Sequence, residues 1–165
     1  MENKVEDRTP LYALSVVQPW ATLIALGLKQ IETRSWYTEF RGTIAIHASA
    51  GKPDFARELC EQDSFFQEAL AKHDLNFDLL PRGCIIALAD LNSCQLIKGF
   101  DDKKTECVNL LNPNTLPLNE IIFGDYAEGR FAWVFDKIYR LNNNISCKGS
   151  LSLWKIPSDI LNKIR

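Results

Sequence analysis

GLKQIETRSW, residues 27–36, reads as the end of a helix followed at once by a strand. Gly27 suits the left-handed conformation that closes a helix, and Pro19 fits the first helical position, where a missing N–H costs nothing. Between them Trp20, Leu23 and Ile24 form an i, i+3, i+4 stripe, the spacing of a packed helix face. Upstream, LYALSVVQ (11–18) is apolar and β-branched and predicts a buried strand. Downstream, IETRSWY (31–37) alternates. Glu32, Arg34 and Trp36 share one face, and Ile31, Thr33, Ser35 and Tyr37 the other.

RGTIAIHAS (41–49) is the next predicted strand, with Ile44, Ile46 and Ala48 opposing Thr43, Ala45 and His47. Residues 53–74 read as two helical pieces, Phe55, Ala56, Leu59 and Cys60 on one face of the first and Ser64 to Gln67 a capping box for the second. PRGCIIALADL (81–91), GRFAWVFDKIYRL (129–141) and SLSLWKI (150–156) are further strands. In the second of these, Phe131, Trp133, Phe135 and Tyr139 oppose Arg130, Ala132, Val134, Asp136 and Ile138. The polar stretch 98–128 is too long for a turn and reads as an insertion or flap. Strands without regular βα alternation predict an α+β domain whose sheet curls into a small barrel with flanking helices. The expected organisation is a flexible tail over 1–10 and a single domain over 11–165.

Composition narrows the function classes. The chain has 165 residues, 46% apolar and 24% charged, ordinary for one globular domain. No apolar run is long enough to span a bilayer, and the polar opening MENKVEDRTP does not read as a signal peptide. Five cysteines at scattered positions, without a CxxC pair, read as reduced thiols, and Cys84 as a core residue. With only His47 and His73 as histidines, neither a metal nor another cofactor is expected. The expected location is the cytoplasm. Net charge is +1 over residues 1–57, −8 over 58–128 and +5 over 129–165. Such a distribution admits a phosphate-bearing partner, and equally plain solvated charge.

Together QPWATLIALGLKQIETRSW, RGTIAIHAS, FGDYAEGRFAW and KGSLSLW resemble the ASCH domain family, over roughly residues 11–156. The family signature G-x-K-x-x-E-x-R is met by Gly27, Lys29, Glu32 and Arg34. The resemblance implies a PUA-like β-barrel and a cleft, lined by the signature, that binds RNA, a nucleotide or a nucleoside. Some small bacterial members remove the acetyl group of N4-acetylcytidine, and at least one is a ribonuclease. The deacetylating members carry threonine three residues after the lysine. This chain has Glu32 there, and Thr33 falls on the opposite strand face.

The resemblance places the enzymes' essential lysine at Lys29, which would act as base or nucleophile if desolvated; a surface lysine at a helix C-terminus is the plainer reading. Glu32 and Arg34 lie two apart on one strand face, as ligand-reading groups or as a structural ion pair, and Glu32 is also a catalytic candidate, carrying a proton to a leaving amine. Gln18, Pro19 and Trp20, at the helix start, are candidates for ligand binding, Trp20 by base stacking at the cleft mouth. Trp133 and Trp154 read as core. His47 is a candidate proton carrier or a hydrogen-bonded structural residue. Arg130, Arg41 and Lys148 are candidates for a positive rim, and Glu120 and Asp125 for a second carboxylate. Three function classes follow: an RNA or nucleotide-binding module; an amidohydrolase on acylated cytidine or a ribonuclease; and a protein-interaction domain using the 98–128 insertion.

Overall fold

The structure is a computed structural model describing residues 9–97 and 110–164. The chain begins with β1 (Tyr12–Val16) and turns into α1 (Trp20–Ala25). Gln18 sets that turn: its Oε1 accepts from Thr22 N–H at 3.0 Å, and its Nε2 donates to Thr22 Oγ1 and to Pro81 O. Pro19 sits one residue earlier than predicted, flanking the helix rather than beginning it. Gly27, at φ +73°, closes α1. Gly27 N–H reaches Ile24 O and Leu28 N–H reaches Leu23 O, each at 2.9 Å. This pair of bonds is a Schellman closure, and it reverses the chain directly into Lys29 and β2 (Ile31–Arg34).

β3 (Gly42–Ala48) follows, buried on both faces from Ile44 onward. Next come α2 (Asp54–Gln62) and α3 (Ser64–Ala71). The cap of α3 is Asp63, whose carboxylate accepts from the N–H groups of Phe65 and Phe66; the predicted Ser64–Gln67 box does not form. β4 (Cys84–Ile97) runs six residues beyond the predicted strand. The described part of the 98–128 stretch contains β5 (Leu110–Leu111) and α4 (Leu118–Ile122). β6 (Phe131–Ser146), β7 (Leu153–Lys155) and α5 (Ser158–Ile164) complete the chain. α5 was not foreseen; Ile160, Leu161 and Ile164 seat it over Ala13, Ala45 and Ile85.

Mixed α+β character is plain. Strand order is β2-β6-β4-β3-β1-β7, with β5 beside the end of β4. All neighbours are antiparallel except β1/β3 and β4/β5. No ladder joins the terminal strands β2 and β7 among the described residues, so the sheet is not hydrogen-bonded into a closed barrel. β7 covers only Tyr12–Leu14 of β1. Beyond it a side chain bridges the gap: Arg34 Nη2 of β2 donates to Ser15 O of β1 at 2.6 Å.

The main core joins Leu14, Val16, Ile24, Ile44, Ile46, Leu91, Trp133 and Phe135. One face assignment on β6 is corrected. Lys137 adopts φ +44°, and the β4/β6 register shifts between Leu88 and Asp90, opposite this point. After the shift Ile138 packs on the main core and Tyr139 is exposed, the reverse of simple alternation. No described helix is long and apolar enough to cross a membrane, and no described cluster of His, Cys, Asp and Glu could hold a metal ion. Cys60, Cys84, Cys94 and Cys147 are free thiols, and Cys84 is buried; Cys107 lies outside the described residues.

Candidate functional site

A cleft of about 470 Å³ opens where α1, β2, α2, α3 and the segment after α4 meet. Lys29 and Glu32 line it from the signature side, and Trp20, Phe55, Phe66 and Phe123 give it an aromatic wall. The Trp20 ring lies 6.1 Å from Phe55 and 6.0 Å from Phe66, and Phe66 stacks edge-on to Phe123 at 4.9 Å. An annex of about 260 Å³ shares Val17, Trp20, Glu32, Thr33 and Arg130 with the main chamber and adds Arg34, Ser35 and Trp36. It lies over the gap between β1 and β2.

Lys29 is the most unusual side chain here. It is 1% exposed, and its Nζ has no hydrogen-bond or ion-pair partner among the described residues. Burial lowers its pKa; the negative charges of Glu32 and then Glu120 oppose that effect without cancelling it. Glu32 is committed to Arg34, with Oε1 3.1 Å from Nε. Glu120, 4% exposed, accepts from Gln30 N–H at 2.5 Å and Ile31 N–H at 3.3 Å. The amine is therefore desolvated beside two carboxylates that already have other partners.

The segment 119–130 holds the signature turn in place. Asn119 donates to Leu28 O at 2.8 Å, Asp125 N–H to Thr33 Oγ1 at 3.2 Å, and Arg130 Nη2 to Thr33 O at 3.1 Å. Thr33 also borders the cleft, but its hydroxyl is occupied by Asp125 N–H.

A model of the ASCH domain matches residues 14–142, which span nearly the whole sheet and every residue of both chambers. The chain belongs to the ASCH domain family. Over 150 residues it is 29% identical to activating signal cointegrator 1 of Homo sapiens and 27% identical to activating signal cointegrator 1 of Mus musculus. Each alignment covers 90% of this chain and 23% of the relative, so the chain spans about a quarter of the length of those proteins.

Within the ASCH fold the sequence-derived candidates separate into two groups. Trp20, Lys29, Glu32 and Arg130 border the main chamber, Asp125 lies at its mouth, and Arg34 lines the annex. Gln18 and Pro19 are buried at the start of α1, and the side chain of Gln18 is consumed by the turn. Arg41 is exposed and donates to Thr38 O and Phe40 O, and Lys148 is exposed; neither borders the cleft. Trp133 is fully buried, while Trp154 is only partly buried and donates to Ser15 Oγ.

Phe55 was assigned to the packed face of its helix, yet it is 59% exposed at the cleft rim. Phe66, Phe123 and Asp63 were not anticipated in the site. No local pattern marks them, because the wall is assembled from helices distant in sequence.

His47 lies apart from the ASCH cleft. Its Nε2 is 3.0 Å from Cys147 O and its Nδ1 3.2 Å from Ser15 Oγ, and its ring stacks edge-on to Trp154. Gly149 passes so close that an added Cβ would sit 2.5 Å from the imidazole. Donation from Nε2–H to Cys147 O leaves Nδ1 to accept from Ser15, so the neutral ring satisfies both contacts. Burial correspondingly lowers its pKa below the ordinary value of 6.5, with the Cys147 carbonyl opposing. The fold then binds fewer protons than the unfolded chain below that pH. Stability should be full above about pH 7 and fall as the pH drops through the ordinary histidine range, from about 7.5 towards about 5.5. Urea midpoints at the two pH values check this. His47→Asn should flatten the difference; an unchanged slope would assign it to other groups.

Proposed function

We propose that this ASCH domain is a cytoplasmic binding module that holds RNA, a nucleotide or a nucleoside in the cleft. Its seam between β1 and β2 serves as the mouth of a PUA-like barrel. The observation that carries the reading is Lys29: a buried amine without a partner among the described residues, at a chamber with an aromatic wall and two guanidiniums alongside. Burying such a group costs stability, and a ligand oxygen is what would complete it. Trp20 and Phe55 offer ring faces to a base, a contact worth roughly 1–3 kcal/mol.

Titrating labelled single-stranded RNAs, nucleotides and nucleosides at low salt tests this. Binding should weaken with added salt and fall at least tenfold in Lys29→Ala. Absence of binding by every probe removes the proposal.

One observation favours a second reading, an amidohydrolase on N4-acylated cytidine. Lys29 combines a lowered pKa with two nearby carboxylates. As the neutral amine it would take a proton from water attacking the acyl carbon. The C–N bond then breaks, and the proton passes to the leaving amine, with Glu32 or Glu120 as carrier. Conversion of N4-acetylcytidine to cytidine by the parent protein but not by Lys29→Ala supports this reading; conversion by neither leaves the binding module. The ribonuclease alternative loses His47, which lies outside the cleft. The protein-interaction alternative concerns a stretch whose residues 98–109 lie outside those described.

A further inference from the structure

The two ends of the cleft differ in charge, and the difference fixes how a nucleotide lies in it. At one end the annex is bordered by two cations, Arg34 and Arg130, and one anion, Glu32. At the other end a groove continues from the main chamber past Phe55 and Leu59, bordered by Glu58 and Asp63 and by no cation among the described residues. Asp63 is fixed there because its carboxylate caps α3. A phosphate entering the groove would meet two like charges, unpaired among the described residues, whereas at the annex the carboxylates of Glu32 and Asp125 are each matched by a guanidinium, Arg34 and Arg130.

Both guanidiniums are held before any ligand arrives. Arg34 uses Nε on Glu32 and Nη2 on Ser15 O. Arg130 uses Nε on Asp125 and Nη2 on Thr33 O. Among the described residues each Nη1 is without a hydrogen bond, and each Nε lies within ion-pair distance of its carboxylate without hydrogen-bonding to it, so both guanidiniums keep N–H donors for an anion. Donors fixed in this way lose little entropy on binding, and guanidinium geometry suits phosphate oxygens.

We infer that the annex is a phosphate subsite: a single nucleotide unit binds with its base in the main chamber against Trp20 and Phe55 and its phosphate between Arg34 and Arg130. This rests on the reading of the cleft as a nucleotide or RNA site and adds its polarity. Lys29 in the main chamber and Glu32, which borders both chambers, then face the base and sugar, and the acidic groove stays empty of phosphate.

The test compares the four common ribonucleosides with their 5′- and 3′-monophosphates by calorimetric titration at low salt, beside a short single-stranded RNA. At least one monophosphate should bind tenfold or more tightly than its own nucleoside. Arg130→Gln should bring that ratio to within a factor of two, and Arg130→Lys should restore part of it. This comparison on the parent protein needs no variant to fold. Equal affinity for nucleoside and monophosphate overturns the subsite, as does a ratio that survives Arg130→Gln or RNA binding without mononucleotide binding. Each of those results leaves the cleft a nucleic-acid or nucleoside site. Silence from every probe removes both the subsite and the proposed function.

Discussion

Replacing Lys29 by methionine should stabilise the unliganded protein by about 1–3 kcal/mol and abolish ligand binding. The reasoning starts from desolvation. An ammonium that is 1% exposed, without a hydrogen bond or ion pair among the described residues, gives up water and regains little. Its pKa is lowered for that reason. Methionine fills nearly the same volume without a charge. The two carboxylates nearby do not become orphans, because Glu32 keeps Arg34 and Glu120 keeps two backbone N–H donors. For a chain of this length the gain corresponds to a rise in Tm of roughly 2–4 °C per kcal/mol. Thermal melts with and without RNA or nucleotide probes measure both halves of the prediction. A gain in stability with loss of binding marks a group retained for function at the expense of the fold. Destabilisation by more than about 1 kcal/mol would instead make Lys29 a structural counter-ion of Glu32 and Glu120.

The neighbourhood of Lys29 was legible in sequence for a local reason. Gly27 closes a short helix at positive φ, and the closure delivers the chain into a strand within four residues. The turn and the strand are both decided by residues next to each other. Glu32 and Arg34 pairing across one strand face follows from the same local alternation.

What escaped depends on tertiary context. Lys137 at φ +44° carries no signature, since nothing about lysine favours that conformation; the β4 ladder imposes it, and the face of Ile138 changes with it. Asp63 outcompeted Ser64 as a cap because the first helix ends at Gln62, and a boundary one residue different exchanges their roles. The aromatic wall needs Phe55 and Phe66 brought beside Trp20 and Phe123, an approach between elements that periodicity within any one of them does not encode. His47 shows the converse: of its two readings, proton carrier or hydrogen-bonded structural residue, the second holds, since its two nitrogens meet Cys147 and Ser15 on another part of the sheet.

Glu120 is the second position where a large effect is expected, and it tests how the cleft is built. α4 has five residues, too few to be helical in isolation, so its place depends on what it holds. Glu120 takes the N–H groups of Gln30 and Ile31 and lends its charge to the neighbourhood of Lys29. Glu120→Ala removes both functions, leaving the buried Ile31 N–H without an acceptor and Lys29 with less compensation. The expected cost is about 2–4 kcal/mol, read from the urea midpoint. Glu120→Gln keeps one acceptor oxygen and no charge, and should cost about half as much. The two roles separate in a cycle with Lys29→Met. If the charge matters to Lys29, Glu120→Gln should cost at least about 1 kcal/mol less when the amine is absent. Additivity within about 0.5 kcal/mol would confine Glu120 to its backbone bonds. Coupling would make Lys29, Glu120 and the α4 wall one electrostatic unit. A ligand that supplies oxygens to Lys29 would then also tighten the segment that closes that side of the cleft.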